Sequence, residues 1–155
     1  MKLSEIIQPE PIIVYLESSG KTGVIGELVA RLPSAKNPAM AEKILQGVLE
    51  KENEQTTGIG SGVAIPHAVV EFPLGLEAAF GLSDRGVDFD SVDQIPARIF
   101  FLVVSGREEY GLQIRILARI ARLMHNQALV RELTRARSAE EVLAVFREEE
   151  RQHFS

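Results

Sequence analysis

The sequence predicts an α/β protein in which one β-sheet lies between layers of helices. Apolar, β-prone runs alternate with amphipathic helical segments along the chain, which is typical of layered α/β folds. Residues 99–104 form a continuous apolar run, as expected of a central strand that is covered on both faces. The chain has 155 residues without an internal repeat or linker, so we expect a single domain over residues 1–155.

The first half of the chain is predicted to contain one strand and two long helices after a short helical turn. Residues 3–7 form the turn, and residues 12–16 are β-branched and mostly apolar, as in a strand. Apolar residues recur at helical spacing over residues 21–32. An Asn-Pro pair begins a further helix over residues 37–52, because asparagine caps a first turn and proline fits its first position.

The second half is predicted to contain the central strands and three more helices. The predicted strands are residues 63–65, 77–82 and 97–104. The predicted helices are residues 108–124, 127–136 and 138–149. We expect a polar connection over residues 83–91 and fraying over residues 148–155.

The composition excludes several classes of function. Hydrophobic residues make up 45% of the chain and charged residues 25%, which favours a buried core over disorder. The net charge of −5 argues against nucleic-acid binding, which needs a basic surface. There is no cysteine, and the three histidines show no metal-binding spacing, so we expect no cofactor and no metal. No apolar run approaches the ~20 residues of a membrane helix and the N-terminus lacks a signal-peptide pattern, so we expect a cytoplasmic protein without membrane insertion.

One stretch combines glycines with a nucleophilic side chain, and we expect the function to depend on it. Gly58, Gly60 and Gly62 alternate before a short apolar strand, and their N–H groups are able to form an anion-binding concavity. Pro66 restricts the backbone before His67 and so holds this imidazole at a defined strand end. A nucleophilic imidazole beside an anion site suggests a transient phosphohistidine. The same residues also fit an ordinary loop followed by a structural histidine.

The order of residues in this stretch is similar to the signature of a known family. Gly58-Ile59-Gly60 followed by Val63-Ala64-Ile65-Pro66-His67 resembles the active-site signature of the fructose/mannitol-type EIIA domains of the bacterial phosphotransferase system, which include nitrogen-regulatory EIIA proteins. Further segments resemble the middle and C-terminal parts of the family, namely residues 87–93, 97–105, 112–123 and 138–141. The resemblance covers nearly the whole chain and implies a mixed, mainly parallel sheet with His67 at a strand end.

The resemblance also implies a function and its partners. His67 would accept a phosphoryl group from an HPr-like carrier protein and pass it to a sugar-permease EIIB, or hold it as a regulatory mark. Because these 155 residues contain no fused B or C domain, a free-standing nitrogen-regulatory type is favoured. The alternative is a module that is not phosphorylated and that binds a regulated protein such as a transporter or sensor kinase. A hydrolase with His67 as general base is remote, since no paired nucleophile or carboxylate motif is evident.

Two supporting positions depart from the family pattern. Family members have an arginine before the glycine-rich loop, and Lys51 occupies that position here. The family's second histidine falls on Gly111, which offers only backbone groups, although Tyr110 or Arg115 could reach the site from the same helix. The ordinary interpretation of Arg115 is a solvated helix charge. The residues expected to support the phosphoryl group are therefore Lys51, Thr57, Gly58, Gly60, Gly62 and Arg115. Structural or incidental roles are expected for the other two histidines, His125 and His153.

Overall fold

The computed structural model of the protein describes residues 2–154, and the side chains of residues 2–152. The α-helices are α1 (Leu3–Ile6), α2 (Lys21–Ala30), α3 (Pro38–Glu54), α4 (Tyr110–Leu123), α5 (Gln127–Arg135) and α6 (Ala139–Phe154). The strands are β1 (Ile12–Ile13), β2 (Gly58–Gly60), β3 (Val63–Ala64), β4 (His67–Val70), β5 (Leu76–Val87) and β6 (Ala97–Gly106). Short 3₁₀ turns cover Pro33–Lys36 and Arg107–Glu109.

The strands form a single mixed sheet between helices, which confirms the predicted fold class. Their order is β1-β5-β6-β3-β2, and β4 also pairs with β6. Three of the five strand pairings in the described part of the chain are parallel: β1 with β5, β3 with β6, and β4 with β6. The long ladder between β5 and β6 is antiparallel, as is the pairing of β2 with β3. Strand β6 therefore lies at the centre of the sheet.

The middle of strand β6, residues 99–104, is apolar because both faces of the sheet are covered there. Alternate side chains of a strand point to opposite faces. The side chains on one face pack against α4, α5 and α6, and they are Ile99, Phe101 and Val103. Those on the other face pack against α2 and α3, and they are Phe100, Leu102 and Val104. All six are fully buried, and burying one such side chain stabilises the fold by roughly 1.5–3 kcal/mol.

Several predicted strand boundaries are wrong for local reasons. Strand β1 contains Ile12–Ile13 rather than residues 12–16, because the chain leaves the sheet and exposes Tyr15. The polar connection predicted over residues 83–91 is largely strand, since β5 continues to Val87 and pairs there with Ala97. The glycine-rich stretch is a β-hairpin of β2 and β3, and strand β4 was not predicted.

The predicted helices are confirmed, with changes at their ends. Asn37 caps α3 as expected, because its Oδ1 accepts a hydrogen bond from the Ala39 N–H at 3.0 Å. The predicted fraying of residues 148–155 is wrong over the described part of that range, since α6 continues to Phe154. The buried carboxylate of Glu150 accepts hydrogen bonds from the N–H of Ser4 at 2.9 Å and its hydroxyl at 2.6 Å. This contact holds the end of α6 against α1.

Candidate active site

His67 is the first residue of β4, and its ring is held by the chain that precedes it. The side chain is partly exposed, and its Nδ1 lies 2.7 Å from the carbonyl oxygen of Ile65. A carbonyl oxygen can only accept a hydrogen bond, so Nδ1 carries the proton of the neutral ring. The lone pair is therefore on Nε2, which is the nucleophilic atom of this imidazole.

The chain around His67 is fixed to the centre of the sheet. Ile65 is buried, and its N–H donates to the carbonyl of Thr57 at 3.0 Å. The next carbonyl, that of Pro66, accepts from the Val103 N–H of β6 at 3.1 Å. Strands β3 and β4 both pair with β6, and the Ile65-Pro66 pair separates them. Pro66 has no N–H and a fixed φ, so it both ends one strand and sets the direction of the next.

His67 lies between two surface grooves, each of which it lines. The helix groove, about 390 Å³, opens between the end of α3 and the start of α4 over β4. Besides His67, its lining includes Glu50, Lys51, Glu54, Tyr110, Gln113 and Leu117. The hairpin groove, about 440 Å³, opens between β2 and the middle of α4. Besides His67, its lining includes Lys51, Thr57, Ile59, Leu117, Ala118 and Ala121.

Lys51 and Thr57 line the hairpin groove together with His67. Lys51 is exposed in the last turn of α3 and lines both grooves. It is the only lysine or arginine among the described residues that line them. Two carboxylates, Glu50 and Glu54, line the helix groove beside it. Among the described residues, the charged side chains other than His67 that line the grooves are thus one cation and two anions, and a phosphoryl group bound there would rely on Lys51 for neutralisation.

Thr57 is held in place by a buried carboxylate. Glu52 Oε2 accepts from the Thr57 N–H at 3.0 Å, and Oε1 accepts from the Thr57 hydroxyl at 2.5 Å. The Lys21 ammonium donates to Glu52 Oε2 at 3.0 Å and to Asp90 Oδ2 at 3.1 Å, and it lies 5.0 Å from the centre of the Phe89 ring. Burial acts to lower the pKa of Lys21, but the hydrogen bonds to Glu52 and Asp90 outweigh it and leave that pKa raised.

Gly58 serves close packing. A Cβ at this position would lie 2.3 Å from Ser91 Oγ and 2.9 Å from Ser91 Cα, so only glycine fits against this loop. The Gly58 N–H already has a local partner, since it donates to the Thr56 hydroxyl oxygen at 3.1 Å. Gly58 lines neither groove in the described structure, so it supports the hairpin and not the space beside His67.

Gly60 and Gly62 form the tight turn between β2 and β3. Their φ values are +97° and +80°, and Ser61 between them has φ +57°. The Ser61 N–H donates to Asp93 Oδ2 at 2.8 Å, and this bond with one from the Ile95 N–H lowers the pKa of Asp93. The Asp93 carboxylate therefore already accepts the hydrogen bond that the Ser61 N–H in this turn could offer to a bound anion.

The turn lies at a distance from the imidazole. Val63 pairs with Ile99 of β6 and His67 pairs with Val103, so four residues of β6, or roughly 13 Å, separate the two levels. The strand that follows the turn carries the chain away from it. The structure thus does not bring Gly60 and Gly62 to His67, contrary to the anion cradle predicted from their spacing.

Of the α4 residues considered from the sequence, only Tyr110 lines a groove, and Gln113 lines it as well. Gly111 and Arg115 are exposed and line neither groove, whereas Tyr110 and Gln113 line the helix groove. Successive residues of an α-helix are rotated by about 100°, so Arg115 points away from Gln113 and Leu117, which line the helix groove. Gln113 was missed, although a signal existed: it is a polar residue at the position three before Ile116 on the buried stripe of the helix.

The other two histidines lie outside the site described here or outside the described side chains. Among the described side chains, those of residues 2–152, there is no group of three or more from histidine, cysteine, aspartate or glutamate placed to hold a metal ion. His125 is exposed beyond the end of α4 and lines neither groove, and the side chain of His153 lies outside the described residues. Among the helices described, none combines the length and hydropathy needed to cross a membrane.

The fold and this histidine-centred site define an EIIA-type domain. Residues 5–149 match the family described as "Phosphoenolpyruvate-dependent sugar phosphotransferase system, EIIA 2", and the chain belongs to this family. A nitrogen regulatory protein of Bradyrhizobium diazoefficiens is 33% identical over 149 residues, which are 94% of each chain. The fructose-specific EIIABC component of the Bacillus subtilis phosphotransferase system is 28% identical over 151 residues, or 97% of this chain. The match spans only 24% of that longer protein.

A solved structure gives the same result for the fold. The crystal structure of nitrogen regulatory protein IIA-Ntr from Neisseria meningitidis superposes with a TM-score of 0.83 and 25% identity. The superposition covers 93% of this chain and 98% of that one. The predicted family is therefore confirmed by both the sequence and the fold.

Proposed function

We propose that the protein is a phosphohistidine carrier of the bacterial phosphotransferase system and that His67 carries the phosphoryl group. The observation that supports this best is the bond from His67 Nδ1 to the Ile65 carbonyl, which leaves Nε2 as a nucleophile between two open grooves. The donor is an HPr-like protein with its own phosphohistidine. The Nε2 lone pair forms a bond to phosphorus, the N–P bond of the donor breaks, and the donor imidazole keeps that electron pair.

Lys51 neutralises the transferred group in this proposal. Lys51 is the one lysine or arginine among the described residues that lines both grooves, and a phosphoryl group adds about −1.5 to −2 charges at neutral pH. Thr57 has a different part, because its N–H and hydroxyl are already bonded to Glu52. It holds the hairpin that fixes Ile65, and through it His67.

The acceptor is an EIIB permease component or a regulated protein such as a transporter or sensor kinase, and the site of action is the cytoplasm. The name of the Bacillus relative joins A, B and C components in one protein, which supports an EIIB acceptor. The nitrogen regulatory relative is 33% identical over 94% of this chain. The IIA-Ntr structure has the same fold over 93% of this chain, at 25% sequence identity. These matches favour the nitrogen-regulatory type.

The proposal is tested by intact-mass spectrometry after incubation with Enzyme I, an HPr-like carrier and phosphoenolpyruvate. We expect a gain of one acid-labile phosphoryl group in the wild-type protein and in His125→Ala, and no gain in His67→Ala. His125 is a matched control because it is an exposed histidine outside both grooves. Labelling of His67→Ala at the wild-type level would contradict the assignment.

A regulatory module that is not phosphorylated is the second candidate. It is favoured by the charges near His67, where Glu50 and Glu54 oppose a phosphoryl dianion and Lys51 replaces the bidentate arginine of the family. In that case the grooves bind a protein partner whose affinity does not depend on phosphorylation. Absence of any mass gain, with a conventional EIIA labelled in parallel, would favour this candidate.

A further inference from the structure

Gln113 is a buried polar side chain beside His67 to which the proposed function assigns no role. It is 1% exposed, and it lines the same groove as His67. Its Nε2 donates to the carbonyl of Ala68 at 3.0 Å and to the hydroxyl of Ser105 at 2.9 Å. The side chain thus joins α4 to two neighbouring strands, β4 and β6.

The orientation of the Gln113 amide follows from its partners. The Ala68 carbonyl can only accept, so the nitrogen end of the amide must face it. The two N–H groups of that nitrogen are then used by Ala68 and Ser105. No N–H remains for a phosphoryl group, and Gln113 can affect His67 only through the backbone of β4.

Strand β4 is held in the sheet along one edge only. Among the described strands it pairs with β6 alone, so its other edge is open. Its first residue is His67, and the preceding residue is Pro66, which has no N–H to donate. The carbonyl that accepts from Gln113 belongs to Ala68, directly after the imidazole-bearing residue.

We propose that Gln113 is a positioning residue for phosphoryl transfer, which fixes the start of β4 and so aims Nε2 of His67 into the grooves. This inference rests on the proposed function. The ring is held from the preceding side by the Ile65 carbonyl and from the following side by the bond between Gln113 and Ala68. Loss of the second restraint allows the strand end to move, and a misplacement of about 1 Å can cost as much as a hundredfold in rate.

The test uses Gln113→Met, which keeps the length of the side chain and removes both donors. Arg122→Gln is the matched control, because it changes an exposed residue of the same helix that lines neither groove. Circular dichroism and thermal unfolding establish that each variant is folded. The rate of phosphoryl transfer from phosphorylated HPr-like carrier is then measured as a function of its concentration.

We expect kcat for Gln113→Met to fall roughly ten- to a hundredfold while KM stays within about twofold, because the grooves that contact the carrier are unchanged. Gln113→His retains one N–H for the Ala68 carbonyl and is expected to recover part of the loss. An unchanged kcat in folded Gln113→Met would overturn the proposal. If Gln113→Met does not fold, Ser105→Ala replaces it in the test, because it removes one of the two groups that accept hydrogen bonds from Gln113. We then expect Ser105→Ala to lower kcat, and a wild-type kcat in Ser105→Ala would overturn the proposal.

Imidazole ¹⁵N NMR of the unphosphorylated protein separates this inference from the proposed function. The wild-type spectrum should show His67 protonated on Nδ1, and Gln113→Met should show averaging between the two tautomers. Wild-type spectra in Gln113→Met would overturn the role of Gln113 even if transfer is efficient. Conversely, if the wild-type protein takes up no phosphoryl group, the proposed function is refuted. The NMR comparison of the His67 tautomer in wild type and Gln113→Met then still decides whether Gln113 positions the ring.

Discussion

The Nδ1 atom of His67 lies 2.7 Å from the carbonyl oxygen of Ile65, two residues earlier in the chain. This single contact selects the tautomer of the ring and directs the reactive nitrogen outward. It exists because Ile65 is buried on the sheet while Pro66 turns the chain into β4.

The position of the phosphoryl group on the ring follows from that contact. We expect the phosphoryl group on Nε2 of His67, since Nδ1 is protonated and bonded to a carbonyl. Two-dimensional ¹⁵N NMR with phosphorus coupling identifies the nitrogen that is modified. A product phosphorylated on Nδ1 is incompatible with the ring orientation described here.

Substitution of Lys51 should change the rate of transfer. Lys51→Met is expected to slow phosphoryl transfer roughly tenfold, less than the loss of a buried donor, because the ammonium is exposed and partly screened. Lys51→Arg is expected to increase the rate roughly threefold, because a guanidinium binds phosphoryl oxygens in a bidentate manner.

Transfer rates from phosphorylated carrier test this pair of substitutions. Lys36→Met serves as the control, because Lys36 ends a 3₁₀ turn and lines neither groove. Equal rates for Lys51→Met and wild type would show that Lys51 does not contact the phosphoryl group.

The ion pair between Lys21 and Glu52 should contribute to stability. Lys21→Met removes the counterion of a carboxylate whose side chain is 2% exposed, so we expect the free energy of unfolding to fall by about 2–4 kcal/mol. Urea unfolding of both proteins at pH 7 measures the difference. Lys2→Met, a change at an exposed lysine, is expected to alter stability by less than about 0.5 kcal/mol.

The same ion pair should make stability depend on alkaline pH. The pKa of Lys21 in the folded protein is raised above its ordinary value of 10.5, so its contribution is fully present below pH 10.5 and is lost as the pH rises through the folded pKa. Wild-type protein should therefore lose more free energy of unfolding above pH 10.5 than Lys21→Met. Parallel pH profiles for the two proteins would contradict this linkage.

Two glycines should respond in opposite directions to alanine. At Gly58 a Cβ would lie 2.9 Å from the Ser91 backbone, so Gly58→Ala should lower the free energy of unfolding by about 1–3 kcal/mol. At Gly111 no atom lies within 4 Å of an added Cβ, and Gly111→Ala should be neutral or stabilise α4 by as much as about 1 kcal/mol. Thermal unfolding compares the two, and similar destabilisation by both would contradict the close approach at Gly58.

The sequence predicted those parts of the fold that local patterns determine. The run from Ile99 to Val104 is apolar on both faces, so β6 could be located. The Asn-Pro pair marked the start of α3 correctly. Strand β4 was missed because its four residues follow a proline and depend on pairing with β6, which no local pattern reveals.

The candidate site was predicted only in part, for a similar reason. Lys51 and Thr57 reach the grooves because α3 ends directly before the hairpin. The spacing of Gly60 and Gly62 showed that the backbone turns but not in which direction, and that direction places the turn far from His67. Gln113 was missed because its bonds go to residues 45 and 8 positions away in the chain.

The contact between Ser4 and Glu150 has a consequence for the design of variants. It places Ser4, near the start of the fold, within hydrogen-bond distance of Glu150 in the last helix. Domains with adjacent ends tolerate circular permutation and insertion into a host protein. A permutant that joins the two ends and opens the chain at the exposed Lys36–Asn37 link would report on His67 with the whole core intact.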